Sequence, residues 1–198
     1  MKIRKEFRVE SAHIVRNCTS HRCSHSIHGH SAVIEVFLES NELDNAQMVY
    51  DFGLMKGTVK QFIDSMDHCY LLCSNDSMDF KDFVKESCDR WIEVPFNPSA
   101  EMLSLFCMYG VKKILENTIT NNGESLNIKC TGVRYHETTT GWAECDEKDY
   151  EQIWETYIKG KHIGFSDGVM KDWSSDLKTI MIHKGKVENP IIKQQINL

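Results

Sequence analysis

The run His28-Gly29-His30-Ser31-Ala32-Val33-Ile34-Glu35-Val36-Phe37-Leu38-Glu39-Ser40 carries the pattern on which the fold turns. At a period of two, His28, His30, Ala32, Ile34, Val36 and Leu38 share one face, with Glu35 and Glu39 opposite. That alternation predicts a half-buried strand whose inward face begins with two imidazoles. Upstream, residues 2–15 repeat the arrangement, placing Phe7, Val9, Ser11 and His13 on one face and Arg8 and Glu10 on the other. A polar loop, from Arg16 to about Ile27, separates the two strands, and a hairpin pairing would bring His13 toward His28 and His30.

Beyond the Asn- and Asp-rich turn at 41–47 the period lengthens. Met55, Val59, Phe62, Ile63 and Met66 recur at helical spacing from Asp51 onward, an amphipathic helix of about four turns. Pro98-Ser99 opens a second helix, Pro by its preset φ and Ser as a cap, with the seam Leu103, Phe106, Cys107, Gly110, Val111, Ile114 and Leu115. Asn121-Asn122-Gly123 ends it, residues 126–136 read as a strand, and a turn at 138–141 leads to a short strand over 142–146. Residues 67–97 show no clear period and read as irregular. The order β-β-α-α-β-β predicts an α+β fold, with helices on one face of an antiparallel sheet. Residues 1–150 form the expected domain, and 151–198, with a helical pattern over 149–158 and an apolar piece at 180–182, the expected extension packed on it.

The chain of 198 residues carries a net charge of −6, so a nonspecific nucleic-acid binder or an anionic-membrane binder is not expected. No stretch approaches the roughly 20 apolar residues of a membrane span, and the start MKIRKEF lacks the apolar centre of a signal peptide, which points to the cytoplasm. Eight cysteines are too few for a disulfide scaffold and read as core thiols, metal ligands or nucleophiles. The nine histidines are unevenly spread: five of them, His13, His21, His25, His28 and His30, fall within residues 13–30, where even scatter would place about one.

Three imidazoles with one open position describe a catalytic zinc site, and His13, His28 and His30 fit it. Cys23, flanked by Arg22 and His25, has neighbours of the kind that lower a thiol pKa and could act as nucleophile or base. The same residues allow another reading. Cys18, Cys23, His28 and His30 would make a closed structural zinc clamp in a noncatalytic binding protein, and spacing does not separate the two. Asp67-His68 follows the first helix as a carboxylate beside an imidazole, suited to a general base. Glu137 shares the parity of Val133 and Tyr135, so it can point inward at the sheet end. Arg16, Arg22 and Lys5 are candidates, by proximity, for an anionic substrate.

Ser11-Ala12-His13, Cys23 ahead of His28-Gly29-His30, Val49-Tyr50-Asp51-Phe52 opening a helix, Asp67-His68, Pro98-Ser99-Ala100-Glu101 and Glu137-Thr138 occur in one order. That order resembles the 6-pyruvoyltetrahydropterin synthase family, over about residues 2–147. Within it the likeness is greatest to the bacterial 6-carboxytetrahydropterin synthases of queuosine biosynthesis. The resemblance implies the tunnelling fold (T-fold), in which subunits join their sheets into a barrel, usually as a homohexamer built as a dimer of trimers with active sites between subunits. It implies His13, His28 and His30 as zinc ligands, Cys23 as the catalytic thiol, and Asp67 and His68 as a dyad reaching across an interface. Glu137 would anchor the pterin, with Glu101 as a further substrate-binding residue. The implied substrate is dihydroneopterin triphosphate, cleaved to 6-carboxytetrahydropterin, acetaldehyde and triphosphate, the pyruvoyl synthase reaction of triphosphate elimination being the alternative.

Overall fold

The computed structural model describes residues 1–124 and 127–191. Strand β1 (Lys2–His13) and strand β2 (His28–Glu39) pair antiparallel in unbroken register, from Lys2 opposite Glu39 to His13 opposite His28. The parity read from the sequence holds: Phe7, Val9, Ala32, Ile34, Val36 and Leu38 are all buried on one side. The loop between the strands contains the short helix α1 (His21–His25). Helix α2 (Phe52–Leu54), capped by the Asp51 carboxylate, leads through Met55–Val59 into α3 (Lys60–Asp64), so the helix expected from the sequence is broken by a kink at Gly57, whose φ of −83° and ψ of −119° are not helical. Met55, Val59, Phe62, Ile63 and Met66 line its buried face as the spacing predicts.

The segment 67–97 departs from the sequence reading. It holds strand β3 (Cys69–Cys73), helix α4 (Met78–Ser87) and strand β4 (Trp91–Val94). Every residue of β3 is buried, so no alternation marks it: Cys69 and Leu71 face the main core, while Tyr70 and Leu72 face a second cluster with Ile14 and Val84. β3 runs parallel to β1 and to β4, and α4 is the crossover between the two parallel strands. Helix α4 therefore covers the face opposite the one that carries α3 and the long helix α5 (Ala100–Glu116). Strand β5 (Thr118–Ile119) follows α5, and then come β6 (Lys129–His136) and β7 (Trp142–Asp146). Leu126, where the sequence reading starts β6, lies outside the described residues.

In the tail, α6 (Glu147–Asp149) runs into a π-helical segment (Tyr150–Ile158), strand β8 (Gly164–Phe165), helices α7 (Asp167–Met170) and α8 (Ser175–Met181), and strand β9 (Val187–Glu188). Among the described residues seven strands form one sheet, in the order β7-β6-β2-β1-β3-β4-β8, and β5 pairs with β9 apart from it. Trp154, Val169, Trp173, Leu177 and Ile180 belong to the same core cluster as the sheet and α5. The architecture is α+β, with its antiparallel β1-β2-β6-β7 portion extended by β3, β4 and β8.

Candidate active site

The register of β1 against β2 assembles the site. His13 lies directly opposite His28, and His30 opposite Ser11. Gly29 lies between the two β2 histidines, and a Cβ there would lie 3.1 Å from the Ser11 carbonyl oxygen, so glycine lets the strands close tightly. The ring centroids lie 4.6 Å (His13 to His28) and 5.1 Å (His30 to each of the others) apart. One ligand atom from each of the three falls within 4.8 Å of the other two.

Second partners orient the rings. His13 hydrogen-bonds to the Pro98 backbone just ahead of α5, and His28 Nδ1 lies 3.0 Å from the Ser26 carbonyl oxygen. The Nε2 atoms of His13 and His30 are buried with no hydrogen-bond partner. An unpartnered ring nitrogen in a buried site is costly unless something occupies the space it faces. Two such atoms facing one space, with His28 beside them, suit a metal ion, and a neutral imidazole is the form that ligates. Burial, reinforced by His28 and His30, lowers the His13 pKa to about 4, so the ring is neutral at physiological pH. Glu137 Oε1 lies 3.5 Å from His13 Nε2 and 3.7 Å from His30 Nε2, beyond hydrogen-bond length. Its carboxylate thus points inward, toward the histidines.

The converging donors, among the described residues, include neither Cys18 nor Cys23. The Cys18 thiol instead meets the Ser20 carbonyl, so the closed clamp is not the arrangement adopted. Cys23 is half-buried on α1, its carbonyl accepting the Val15 N–H at 3.0 Å. Glu101 lies exposed in the first turn of α5, downstream of the Ser99 cap and the Pro98 backbone that holds His13.

Asp67 and His68 do touch. His68 Nδ1 lies 2.9 Å from Asp67 Oδ2, while Asp67 Oδ1 accepts the Glu10 N–H at 2.8 Å and the His68 N–H donates to the Glu10 carbonyl. His68 adopts φ of 50°, in the left-handed region that is uncommon for a non-glycine residue. Burial works to raise the Asp67 pKa, but the Glu10 N–H, His68 and Arg90 outweigh it and keep the carboxyl below its ordinary value. The His68 side chain is 78% exposed, against 3% for His13. His30 and His68 nevertheless line one cavity of about 780 Å³, with Ser11, Ala12 and Tyr70.

Of the candidate cations, Arg16 is committed elsewhere: its Nε bonds Asp76 at 2.6 Å and its guanidinium lies over the Phe80 ring. Sequence reasoning missed the Asn97 side chain, which bonds both the N–H and the carbonyl of Arg16 and ties the end of β1 to the entrance of α5. No local pattern announces a contact between residues so far apart in sequence.

A family model described as 6-pyruvoyl tetrahydropterin synthase matches residues 2–148. The chain belongs to this family. A Helicobacter pylori (strain J99) protein named 6-carboxy-5,6,7,8-tetrahydropterin synthase is 39% identical over 174 residues, 87% of this chain and 86% of that protein. An Aquifex aeolicus protein of the same name is 33% identical over 162 residues, 74% of this chain and 98% of its own length. Among solved structures, an uncharacterized Wolinella succinogenes protein superposes with TM-score 0.61 at 22% identity, covering 74% of this chain and 98% of its own. The Caenorhabditis elegans 6-pyruvoyl tetrahydropterin synthase does so with TM-score 0.52 at 18% identity, over 74% of this chain and 94% of its own. The fold is thus the tunnelling fold of the family, and the protein is an enzyme of the pterin synthase group, a lyase. No helix of the described residues is long and apolar enough to cross a membrane.

Proposed function

We propose that the protein is a zinc-dependent 6-carboxytetrahydropterin synthase, which converts 7,8-dihydroneopterin triphosphate to 6-carboxy-5,6,7,8-tetrahydropterin, acetaldehyde and triphosphate. The observation that carries the reading is the convergence of His13, His28 and His30, the Nε2 atoms of His13 and His30 being unpartnered, in a chain 39% identical to a protein of that name. His13, His28 and His30 would hold the zinc, which would supply Lewis-acid polarisation of a substrate oxygen.

The chain's own groups supply the rest. Asp67 holds the His68 ring through Nδ1 and leaves Nε2 to move a proton; Cys23 serves as the thiol on the other side of the substrate. Glu137 anchors the pterin, since one carboxylate can accept from a ring N–H and the neighbouring exocyclic amino group together. Glu101 is a further substrate-binding residue. A dyad as exposed as Asp67–His68 suits a site completed between subunits, in a homohexamer of two trimers. The enzyme would work in the cytoplasm, in queuosine biosynthesis.

Mass spectrometry of an incubation with dihydroneopterin triphosphate tests the reading. Acetaldehyde with 6-carboxytetrahydropterin is the expected outcome. A 6-pyruvoyl product would assign the triphosphate elimination, and unchanged substrate would overturn the proposal.

A further inference from the structure

Arg90 precedes β4 and lies outside every motif that led to the family. Its side chain is largely buried, and its guanidinium donates in several directions at once. Nε bonds the Asp67 carbonyl at 2.9 Å and Nη2 the Asp64 carbonyl at 3.0 Å, while Nη1 bonds the Gly168 carbonyl at 2.8 Å and Asp172 Oδ2 at 2.5 Å. We infer that Arg90 is a positioning residue for the Asp67–His68 dyad, and that the tail around Gly168–Trp173 serves as its anchor. The inference rests on the reading of that dyad as catalytic.

At its end, α3 leaves carbonyls without intrahelical partners. Two of the carbonyls there, those of Asp64 and Asp67, are taken by one planar fork, which fixes their separation as a flexible ammonium could not. The Asp67 N–H also donates to the Asp64 carbonyl, so the turn that leads into His68 is closed on itself and on Arg90. From the other side β1 grips the same turn: Glu10 bonds both the Asp67 carboxylate and the His68 N–H. This two-sided hold is what keeps His68 at positive φ.

The tail is built to reach Arg90. A Cβ on Gly168 would lie 2.1 Å from the Asp89 carbonyl oxygen, so only glycine lets the tail backbone approach the Asp89–Arg90 peptide this closely. Ser166 locks the approach, exchanging backbone and side-chain hydrogen bonds with Trp91. A second tie bypasses Arg90: the buried Trp173 indole N–H donates to Ser65 Oγ at 2.7 Å, two residues ahead of the dyad. All of these tail residues lie beyond residues 2–148, the part that the family model matches.

The test compares the full chain with its Arg90→Gln, Arg90→Lys and Gly168→Ala variants, by hydrogen exchange of amides 65–68 and by steady-state kinetics in the Asp67 and Asp67→Asn backgrounds. Arg90→Gln is expected to speed exchange at these amides about ten-fold. It should lower kcat about a hundred-fold with KM nearly unchanged and with zinc content intact. Arg90→Lys, the variant that keeps the charge and the fold, should not restore kcat, and Gly168→Ala should reproduce the exchange change. In the Asp67→Asn background, where the dyad is already broken, Arg90→Gln should cost little more. Unaltered exchange at 65–68 in Arg90→Lys and Arg90→Gln would overturn the inference, as would losses from Arg90→Gln and Asp67→Asn that simply multiply. If the unmodified enzyme leaves dihydroneopterin triphosphate unchanged, the functional reading fails, while the exchange measurement still decides whether Arg90 holds the turn.

Discussion

Gly110→Ala sets two effects of opposite sign against each other. In an exposed helix the substitution stabilises by ~1 kcal/mol, because alanine loses less backbone freedom on folding. In α5 a Cβ at this position would lie 1.9 Å from Cε1 of Phe62 and 2.3 Å from both Cδ1 and Cζ. Ordinary carbon contacts are about 3.5–4.0 Å, so the Phe62 ring or the helix must move by roughly 1.5 Å. The ring has little room to do so, being fully buried with its centroid 5.2 Å from that of Phe106. Overpacking of this kind costs ~1–3 kcal/mol, and an overlap this deep belongs at the upper end. The net expectation is a destabilisation of ~2 kcal/mol, a fall in Tm of about 4–8 °C for a chain of this length. Thermal unfolding followed by circular dichroism at fixed protomer concentration reads it directly. Because Phe62 lies on α3, which leads into Asp67 and His68, turnover should fall while zinc content, which the proposed function assigns to histidines on β1 and β2, stays the same. An unchanged or raised Tm would refute the reasoning that α3 and α5 meet without slack at this glycine.

Cys23→Ala should retain its full complement of zinc, since the converging donors are imidazoles, and lose about 10²–10⁴-fold in kcat through loss of a proton-moving group; metal analysis and steady-state assay check the two halves. Glu35 offers a pH test on the sheet face opposite the one that carries α5. Burial works to raise its pKa, but hydrogen bonds from His136 and Arg4 and the charges of Arg4 and Arg134 outweigh it, and the carboxyl stays below its ordinary value. A lowered folded-state pKa means that the stabilisation is complete above the unfolded value, about 4.3, and is lost as pH falls through the folded one. Glu35→Gln should therefore flatten the acid limb of the stability curve below about pH 5; urea denaturation across pH with an unaltered acid limb would contradict this.

The histidine cluster was legible because it obeys the same period-two rule as the apolar residues that follow it. His28, His30, Ala32 and Ile34 form one row, and the β1–β2 register carries His13 into it. The buried face of the first helical segment was legible for a similar reason, its apolar residues recurring on both sides of Gly57, but the kink at that glycine was not. β3 escaped notice because both its faces are covered, by the main core and by α4, and a five-residue apolar run has no period to read. Glu35 was assigned to the solvent face by parity, yet it is buried, because Arg4, Arg134 and His136 converge on it from neighbouring strands. Arg90 depends on acceptors 23, 26, 78 and 82 residues away, a separation at which sequence spacing carries no signal.

The central claim, a metal centre of three imidazoles that leaves the thiols free, is tested most directly by zinc X-ray absorption on the protein. It predicts a first shell of nitrogen and oxygen at about 2.0–2.1 Å, without sulfur. A sulfur shell at about 2.3 Å, abolished by Cys23→Ala, would contradict it and restore the structural clamp.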